Sequence, residues 1–179
     1  MALKSDAIRY GSVARTMHWV TAVAILAMVG SGLAAESASG EPEAVTILRF
    51  HAVMGVAVVA LTLLRILWWV FADRRPADTT STPRWQARAA HVVHYALYIV
   101  VLLLGGSGIA TIVLSGAGTV LSGAATGPLP TFEDFLPRGP HGLFAWALIG
   151  LVSLHVAAAL YHQFALRDRL LGRMGLGEG

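Results

Sequence analysis

The chain has 179 residues, of which 56% are hydrophobic and 13% are charged, and it contains no cysteine. Soluble domains carry about 25% charged residues, so this composition is typical of a membrane protein rather than a soluble globular domain. The lack of cysteine excludes disulfides and thiolate metal sites.

Four apolar segments follow one another along the chain, at about 17–35, 47–72, 91–114 and 141–166. Each is long enough to cross the roughly 30 Å hydrocarbon core of a bilayer as a helix, which satisfies its own backbone hydrogen bonds there. None of the segments alternates apolar and polar residues as the strands of a membrane barrel do. The sequence therefore predicts an all-α fold, a membrane-embedded four-helix bundle in one domain over residues 1–179.

The basic residues lie on one side of the predicted spans. Ten of the 13 Lys and Arg residues precede span one, connect spans two and three, or follow span four: Lys4, Arg9, Arg15, Arg74, Arg75, Arg84, Arg88, Arg167, Arg169 and Arg173. The other two connections carry Glu36, Glu41, Glu43, Glu133 and Asp134. Since cytoplasmic loops are enriched in Lys and Arg, we expect both termini in the cytoplasm. The basic charge thus orients the protein and attracts anionic lipid, and we expect no nucleic-acid partner.

Two connecting segments are predicted to have local structure. Residues 81–89 are expected to begin a helix at the inner interface, with Trp85 near the lipid boundary. Residues 112–125 are apolar enough to lie against the membrane at the outer side. The rest of the outer connection is rich in glycine and proline, which favours irregular structure.

Four histidines inside the spans fall at two membrane depths. His141 and His155 are 14 residues apart in span four. That separation is close to four helical turns, so the two side chains share one face about 21 Å apart. Span one runs outward from near His18, and span two runs inward from near His51. His18 and His155 therefore share the inner depth, and His51 and His141 share the outer depth.

Histidine pairs of this kind suit the iron of a haem. Two imidazoles on facing helices bind both axial positions of the iron, which leaves no open site and favours electron transfer. Zinc is the rival metal, but it usually takes four tetrahedral ligands, which these histidines do not supply. The alternative is that the histidines are hydrogen-bonded polar residues of the bundle. We favour two non-covalent b haems, an inner one on His18 and His155 and an outer one on His51 and His141, because covalent attachment needs cysteine.

Three further histidines lie near the inner side. His91 and His94 begin span three, and His162 follows His155 by seven residues, about two turns further inward. A titratable side chain at this interface can exchange protons with a quinone as it is reduced. We therefore expect a quinone site that includes His94 and His162. The alternative is that all three are ordinary interfacial polar residues.

One arginine and several glycines also fall inside the spans. Arg65 follows His51 by 14 residues and so reaches the inner depth. A cation at that depth needs an anionic partner, for which a haem propionate is a candidate, or it extends to the lipid interface. Four glycines in the spans have no side chain and so let either a flat cofactor ring or a neighbouring helix approach the backbone closely: Gly55, Gly105, Gly106 and Gly108.

These residues occur in stretches that resemble the bacterial cytochrome b561 family over nearly the whole chain. The matching stretches are Arg15-Thr-Met-His18-Trp19, His51-x3-Gly55 with Arg65 and Trp68, His91-x2-His94-x3-Tyr98, and His141 with Leu154–His162, Arg167-Asp168 and Arg173-Met174. The resemblance implies an inner-membrane protein with haem b ligands at His18, His51, His141 and His155, and a quinone site near His94 and His162. Gly105 stands where relatives are expected to carry proline, a departure that affects only helix shape.

The predicted function is electron transfer between an outer donor and the membrane quinone pool, for which ubiquinone is a candidate. The resemblance extends to stand-alone members that oxidise superoxide, although net acidic outer loops do not steer an anion. The alternative is a membrane-anchor cytochrome b subunit of a respiratory dehydrogenase or hydrogenase, with a protein redox partner. The short segments outside the spans favour the stand-alone form. A third hypothesis is a non-redox metal or proton conductor lined by histidines.

Overall fold

The computed structural model describes residues 2–77, 83–168 and 170–176. Within those ranges the regular elements are all helical. In chain order the α-helices are α1 (Ser12–Ser37), α2 (Glu43–Leu67), α3 (Arg84–Ser115), α4 (Gly118–Ser122), α5 (Arg138–Tyr161) and α6 (Leu170–Arg173). The π-helical turns Trp68–Ala72 and His162–Leu166 continue α2 and α5, and a 3-10 turn spans Phe132–Asp134. The predicted all-α fold is thus confirmed.

Four helices are long and apolar enough to cross a membrane: Ser12–Ser37, Glu43–Ala72, Arg84–Ser115 and Arg138–Leu166. Each extends its predicted apolar segment at one or both ends, because polar and basic residues continue the helix toward the interface. Large hydrophobic side chains on these helices are exposed, as expected where a helix faces lipid. Examples are Val23, Leu26, Val53, Val56, Ile99, Leu103, Leu143 and Leu154.

The two connecting segments fold differently from the predictions. The helix expected over 81–89 is not a separate interfacial element, since α3 begins at Arg84 and runs on without a break. Residues 81–82, like Arg169, lie outside the described part of the chain. In the outer segment only α4 is a further helix, and its Leu121 is buried where α4 packs on α2.

The long helices form two hairpins. α1 packs along α2, and α3 packs along α5. The hairpins meet where α2 contacts α3, whereas α5 makes no comparable contact with α1 or α2 among the described residues. We call the end of the bundle that holds both termini the inner end and the opposite end the outer end.

A central apolar layer joins the four long helices. Each helix contributes one buried residue to this layer: Ala24, Val58, Val101 and Leu148. Leu148 lies seven residues from both His141 and His155 on α5, so the layer separates the two histidine depths. The helical rise puts the layer roughly 10 Å from each depth.

The Asp73 carboxylate fastens the N-terminal segment to the inner end. It accepts hydrogen bonds from the Ser5 amide at 3.0 Å and the Ser5 hydroxyl at 2.8 Å, and also from the Trp68 indole and the Arg74 amide. Burial acts to raise the pKa of Asp73, but these hydrogen bonds outweigh it and lower that pKa. The ionised carboxylate therefore holds the segment before α1 against the end of α2.

The C-terminal turn covers the same end. The Trp19 indole donates to the Met174 carbonyl at 3.0 Å, and Nε of Arg173 donates to the Ile8 carbonyl at 2.8 Å. The Tyr10 amide in turn donates to the Arg173 carbonyl. Both chain ends thus lie over the bundle next to the inner histidine depth.

Gly105 allows a close approach of the two hairpins. A Cβ atom built at Gly105 lies 2.2 Å from Cγ2 of Val59 on α2. Valine has one strongly preferred rotamer in a helix, so this clash is not cheaply relieved. Gly105→Ala should therefore destabilise the bundle by about 1–3 kcal/mol, the usual cost of overpacking. Thermal unfolding in detergent measures the difference.

Gly106→Ala is the matched control for that substitution. Apart from its chain neighbours and the adjacent helix backbone, no atom of the described residues lies within 4 Å of a Cβ built at Gly106, so the variant should unfold no earlier than the unmodified protein. Equal unfolding midpoints for the two alanine variants would contradict the assigned role of Gly105.

Candidate functional site

Two pairs of histidine rings bridge the hairpins. The His18 ring on α1 and the His155 ring on α5 have their centres 6.2 Å apart and their planes at 71°. The His51 ring on α2 and the His141 ring on α5 are also 6.2 Å apart, at 73°. The structure thus brings together the residues at each depth, and it does so with the same geometry at both.

A separation of 6.2 Å matches two imidazoles on opposite sides of one metal ion. A metal–imidazole nitrogen bond is about 2.0 Å long and the ring centre lies about 1.1 Å behind that nitrogen, so two such rings have centres roughly 6 Å apart. The His94 ring is only 5.2 Å from the His155 ring, a spacing that suits direct contact. Distance therefore favours His18 over His94 as the partner of His155.

The set of donor atoms fits a metal that takes two protein ligands. In the described ranges, no group of three or more His, Cys, Asp or Glu side chains is arranged to hold a metal ion. A haem needs only two axial ligands from the protein, whereas structural zinc needs four. Both ring pairs span the interface between α5 and the first hairpin, where helix contacts are sparse. The site therefore has the donors and the helix spacing of a haem-binding bundle.

Serine hydroxyls support the outer pair. Nδ1 of His51 lies 3.1 Å from Oγ of Ser31, and Nδ1 of His141 lies 3.2 Å from Oγ of Ser107. Nδ1 of His141 is also 3.1 Å from the Leu104 carbonyl. Because a carbonyl oxygen only accepts hydrogen bonds, this contact requires a proton on Nδ1 and leaves the lone pair on Nε2. That is the tautomer in which histidine offers Nε2 to a metal.

A partly buried arginine lies beside the inner pair. Nη1 of Arg65 is 3.1 Å from Nδ1 of His18, and its guanidinium carbon lies 5.9 Å from the centre of the Tyr98 ring. Nε of Arg65 is buried and has no hydrogen-bond partner among the residues that the structure describes. A buried donor without a partner is costly, so this position suits an anionic group.

The histidines predicted to contact quinone have different surroundings. His94 packs its ring against His155 of the inner pair. Nδ1 of His162 bonds to the Asp168 carboxylate, and the His162 side chain is only 15% exposed. In the part of the chain that the structure describes, no hydrogen bond or ring contact joins His94 to His162. His91 lies at the exposed start of α3.

The supporting serines are not among the residues predicted from the sequence, although the sequence carries a signal for them. The tripeptide Gly-Ser-Gly occurs at 30–32 on α1 and at 106–108 on α3, in the first helix of each hairpin. A Cβ on the second glycine of either tripeptide would lie 3.1 Å from Cε1 of the facing histidine, His51 or His141. Glycine therefore lets the helix backbone approach the ring that the serine supports.

The four glycines singled out from the sequence have separate roles. Gly108 faces a histidine ring, and Gly55 faces the methyl group of Met28. Gly105 serves helix packing, and a Cβ at Gly106 would meet open space. Close packing therefore accounts for Gly105, Gly108 admits the His141 ring, and access for a cofactor ring stays a prediction.

The amino-acid sequence is similar to one known family and to several known proteins. A family model described as prokaryotic cytochrome b561 matches residues 9–177. Cytochrome b561 homolog 1 of Escherichia coli strain K12 is 28% identical over 171 residues, which cover 93% of this chain and 96% of that protein. Cytochrome b562 of Cereibacter sphaeroides is 32% identical over 165 residues, covering 89% and 90%. A protein named as a probable superoxide oxidase of Yersinia pestis is 29% identical over 131 residues, covering 69% and 72%.

The matched segment contains all four long helices and both histidine pairs. Family and fold together make this a bacterial membrane protein that transfers electrons and carries haem b. The chain belongs to the prokaryotic cytochrome b561 family.

Proposed function

We propose that the protein holds two b haems between its hairpins and passes electrons between an outer donor and a quinone at the inner end. The observation that carries this proposal is the pair of matched ring contacts, His18 with His155 and His51 with His141, each at 6.2 Å. When bound, a haem supplies one-electron chemistry at its iron. His18 with His155 and His51 with His141 would each hold such an iron through two imidazoles, which would favour electron transfer over oxygen activation.

Arg65 is proposed to bind a propionate of the inner haem. A histidine that ligates iron through Nε2 carries its proton on Nδ1, and arginine has only donors. Ligation by His18 is therefore incompatible with the Arg65–His18 hydrogen bond, and Arg65 then needs another acceptor. Its unpartnered buried Nε supports an anionic group at this place.

The inner end has groups suited to quinone chemistry. Reduction of a quinone to a quinol takes two electrons and two protons, so a site needs residues that donate hydrogen bonds and release protons. His162 is held by Asp168 through Nδ1, which leaves Nε2 for a quinone oxygen. His94 packs on His155 and so lies next to the proposed inner haem. We propose His94 and His162 as the quinone-binding residues, with Asp168 positioning His162.

The electrostatics of the outer end bear on the donor. Arg138 pairs with Glu36 and Glu133, and Nε of Arg49 donates to the Leu121 carbonyl at 2.6 Å. Glu36 and Glu133 offset the charge of Arg138, and the outer connections are net acidic, so this end attracts a small anion little. A relative named as a superoxide oxidase makes superoxide one donor to test, and a less anionic donor suits this surface better. The charge bias of the loops supports a cytoplasmic location for both termini.

The two-layer assignment predicts how haem content responds to paired substitutions. His18→Ala and His155→Ala remove ligands of one haem, so the double variant should lose no more haem than either single variant. His18→Ala with His51→Ala removes one ligand from each layer and should lose both haems. Quantifying haem per purified chain distinguishes these outcomes.

The control for the paired substitutions is His91→Ala, a change at the inner end outside both ring pairs. It should retain the haem content of the unmodified protein. If the double variant His18→Ala with His51→Ala kept as much haem as His18→Ala alone, the proposed ligand assignment would be wrong.

The quinone assignment predicts a defect confined to one half of the reaction. His162→Phe should slow reoxidation of the haems by ubiquinone at least several-fold, because it removes a proton donor. Asp168→Asn should slow the same step through loss of the partner that positions His162. Reduction of the haems from the outer end should stay unchanged, since the outer histidine depth lies about 30 Å from His162. Stopped-flow spectroscopy measures both steps.

Tyr161→Phe is the control, because it changes the residue next to His162 and keeps the aromatic ring. It should reoxidise at the unmodified rate. If His162→Phe and Asp168→Asn also did so, quinone would bind elsewhere or electrons would leave by another route.

A further inference from the structure

We propose that Ser31 and Ser107 are positioning residues that hold the outer histidines and lower the reduction potential of the outer haem below that of the inner haem. The inference rests on the proposed function, since it requires haem at both ring pairs. Histidine ligands at both haems do not by themselves distinguish the two potentials. A lower potential at the outer haem gives electron transfer along the bundle a preferred direction.

The hydrogen bonds of Ser107 determine its role toward His141. Oγ of Ser107 donates to the backbone, with the Leu103 carbonyl at 2.8 Å and the Leu104 carbonyl at 3.1 Å. A hydroxyl has a single proton, so toward His141 the same oxygen is an acceptor. Nδ1–H of His141 therefore donates to Ser107 and to the Leu104 carbonyl, both of which are neutral acceptors.

Ser31 repeats this arrangement in the other hairpin. Its Oγ donates to the Met28 carbonyl, three residues earlier on α1, at 3.1 Å. The same oxygen lies 3.1 Å from Nδ1 of His51, and with its single proton directed to Met28 it accepts from the Nδ1–H that an Nε2-ligating His51 would carry. Both ligands of the proposed outer haem thus donate to a serine that is itself anchored to its helix backbone. Because the same arrangement occurs on two separate helices, α1 and α3, we do not attribute it to a chance contact.

At the inner pair, His18 faces a hydrogen-bond donor in place of an acceptor. Nδ1 of His18 faces Nη1 of Arg65, which carries a positive charge and only donates. An acceptor at Nδ1–H makes an imidazole more basic and stabilises oxidised iron; the two serines give this effect at the outer pair, whereas Arg65, which only donates, gives His18 none. At the outer end Glu36 and Glu133 offset the charge of Arg138, and Arg49 donates to the Leu121 carbonyl, so among the described residues neither outer Nδ1 has a cation as its partner. An electron is therefore more stable on the inner side, next to the proposed quinone residues.

The test is a redox titration of purified protein that carries both haems. Ser31→Ala and Ser107→Ala each remove one acceptor, so each should raise the potential of the outer haem and leave that of the inner haem unchanged. We expect about a fivefold change in the equilibrium for sharing an electron between the haems, which is about 40 mV at 59 mV per tenfold for one electron. Comparison with the His51→Ala variant, which lacks the outer haem, identifies which potential moved.

Two further variants separate the hydroxyl from general packing. Ser107→Thr and Ser31→Thr keep the hydroxyl and should restore the unmodified potential. Ser37→Ala is the matched control on α1, because the Ser37 hydroxyl donates to the Leu33 carbonyl at 2.9 Å and contacts no histidine. It should leave both potentials unchanged.

The outcomes distinguish this inference from the proposed function. Unmodified potentials in both alanine variants, with two haems retained, would overturn the serine assignment and leave the haem assignment intact. An alanine variant could lose the outer haem altogether, and the threonine variant then decides. If the threonine variant keeps the outer haem at the unmodified potential, the serine assignment is supported. If the threonine variant also loses the outer haem, the serine assignment is overturned. Retention of both haems when the histidines are replaced would instead refute the proposed function.

Discussion

The bundle is organised around imidazole rings that meet across an interface with few other contacts. α1 with α2 and α3 with α5 form hairpins that touch chiefly through α2 and α3. Each ring pair has one member in each hairpin, so a metal ion between the rings would join the hairpins where helix packing does not. Polar rings inside a bilayer are costly without partners. The proposed haems therefore stabilise the fold as well as providing its chemistry.

The inner and outer histidine pairs have different surroundings. The central apolar layer of Ala24, Val58, Val101 and Leu148 lies between the ring pairs and contains no ionisable side chain. Neutral serine and carbonyl acceptors surround the outer pair, whereas a cation, His94 and the Asp73-anchored terminal segments surround the inner pair. In the proposal, this difference between the two ends gives electron transfer its direction.

The sequence predicts the fold and the depth of the histidines because both depend on spacing along a helix. Fourteen residues between His141 and His155 determine their relative depth and face without knowledge of the partner helix. Contacts across helices depend on which faces meet, which four apolar segments do not specify. The Arg65–His18 contact and the serine hydrogen bonds therefore appear only in the structure. Ser31 and Ser107 also resemble ordinary small packing residues in a membrane helix.

Low-temperature electron paramagnetic resonance of the oxidised protein, with spins counted per chain, tests the central claim most directly. Two imidazoles on each iron should give low-spin ferric signals only, and two sites should integrate to about two spins per chain. The steep angles between ring planes, 71° and 73°, predict strongly anisotropic signals at both sites. One spin per chain, or a high-spin signal from an iron with an open position, would contradict the account.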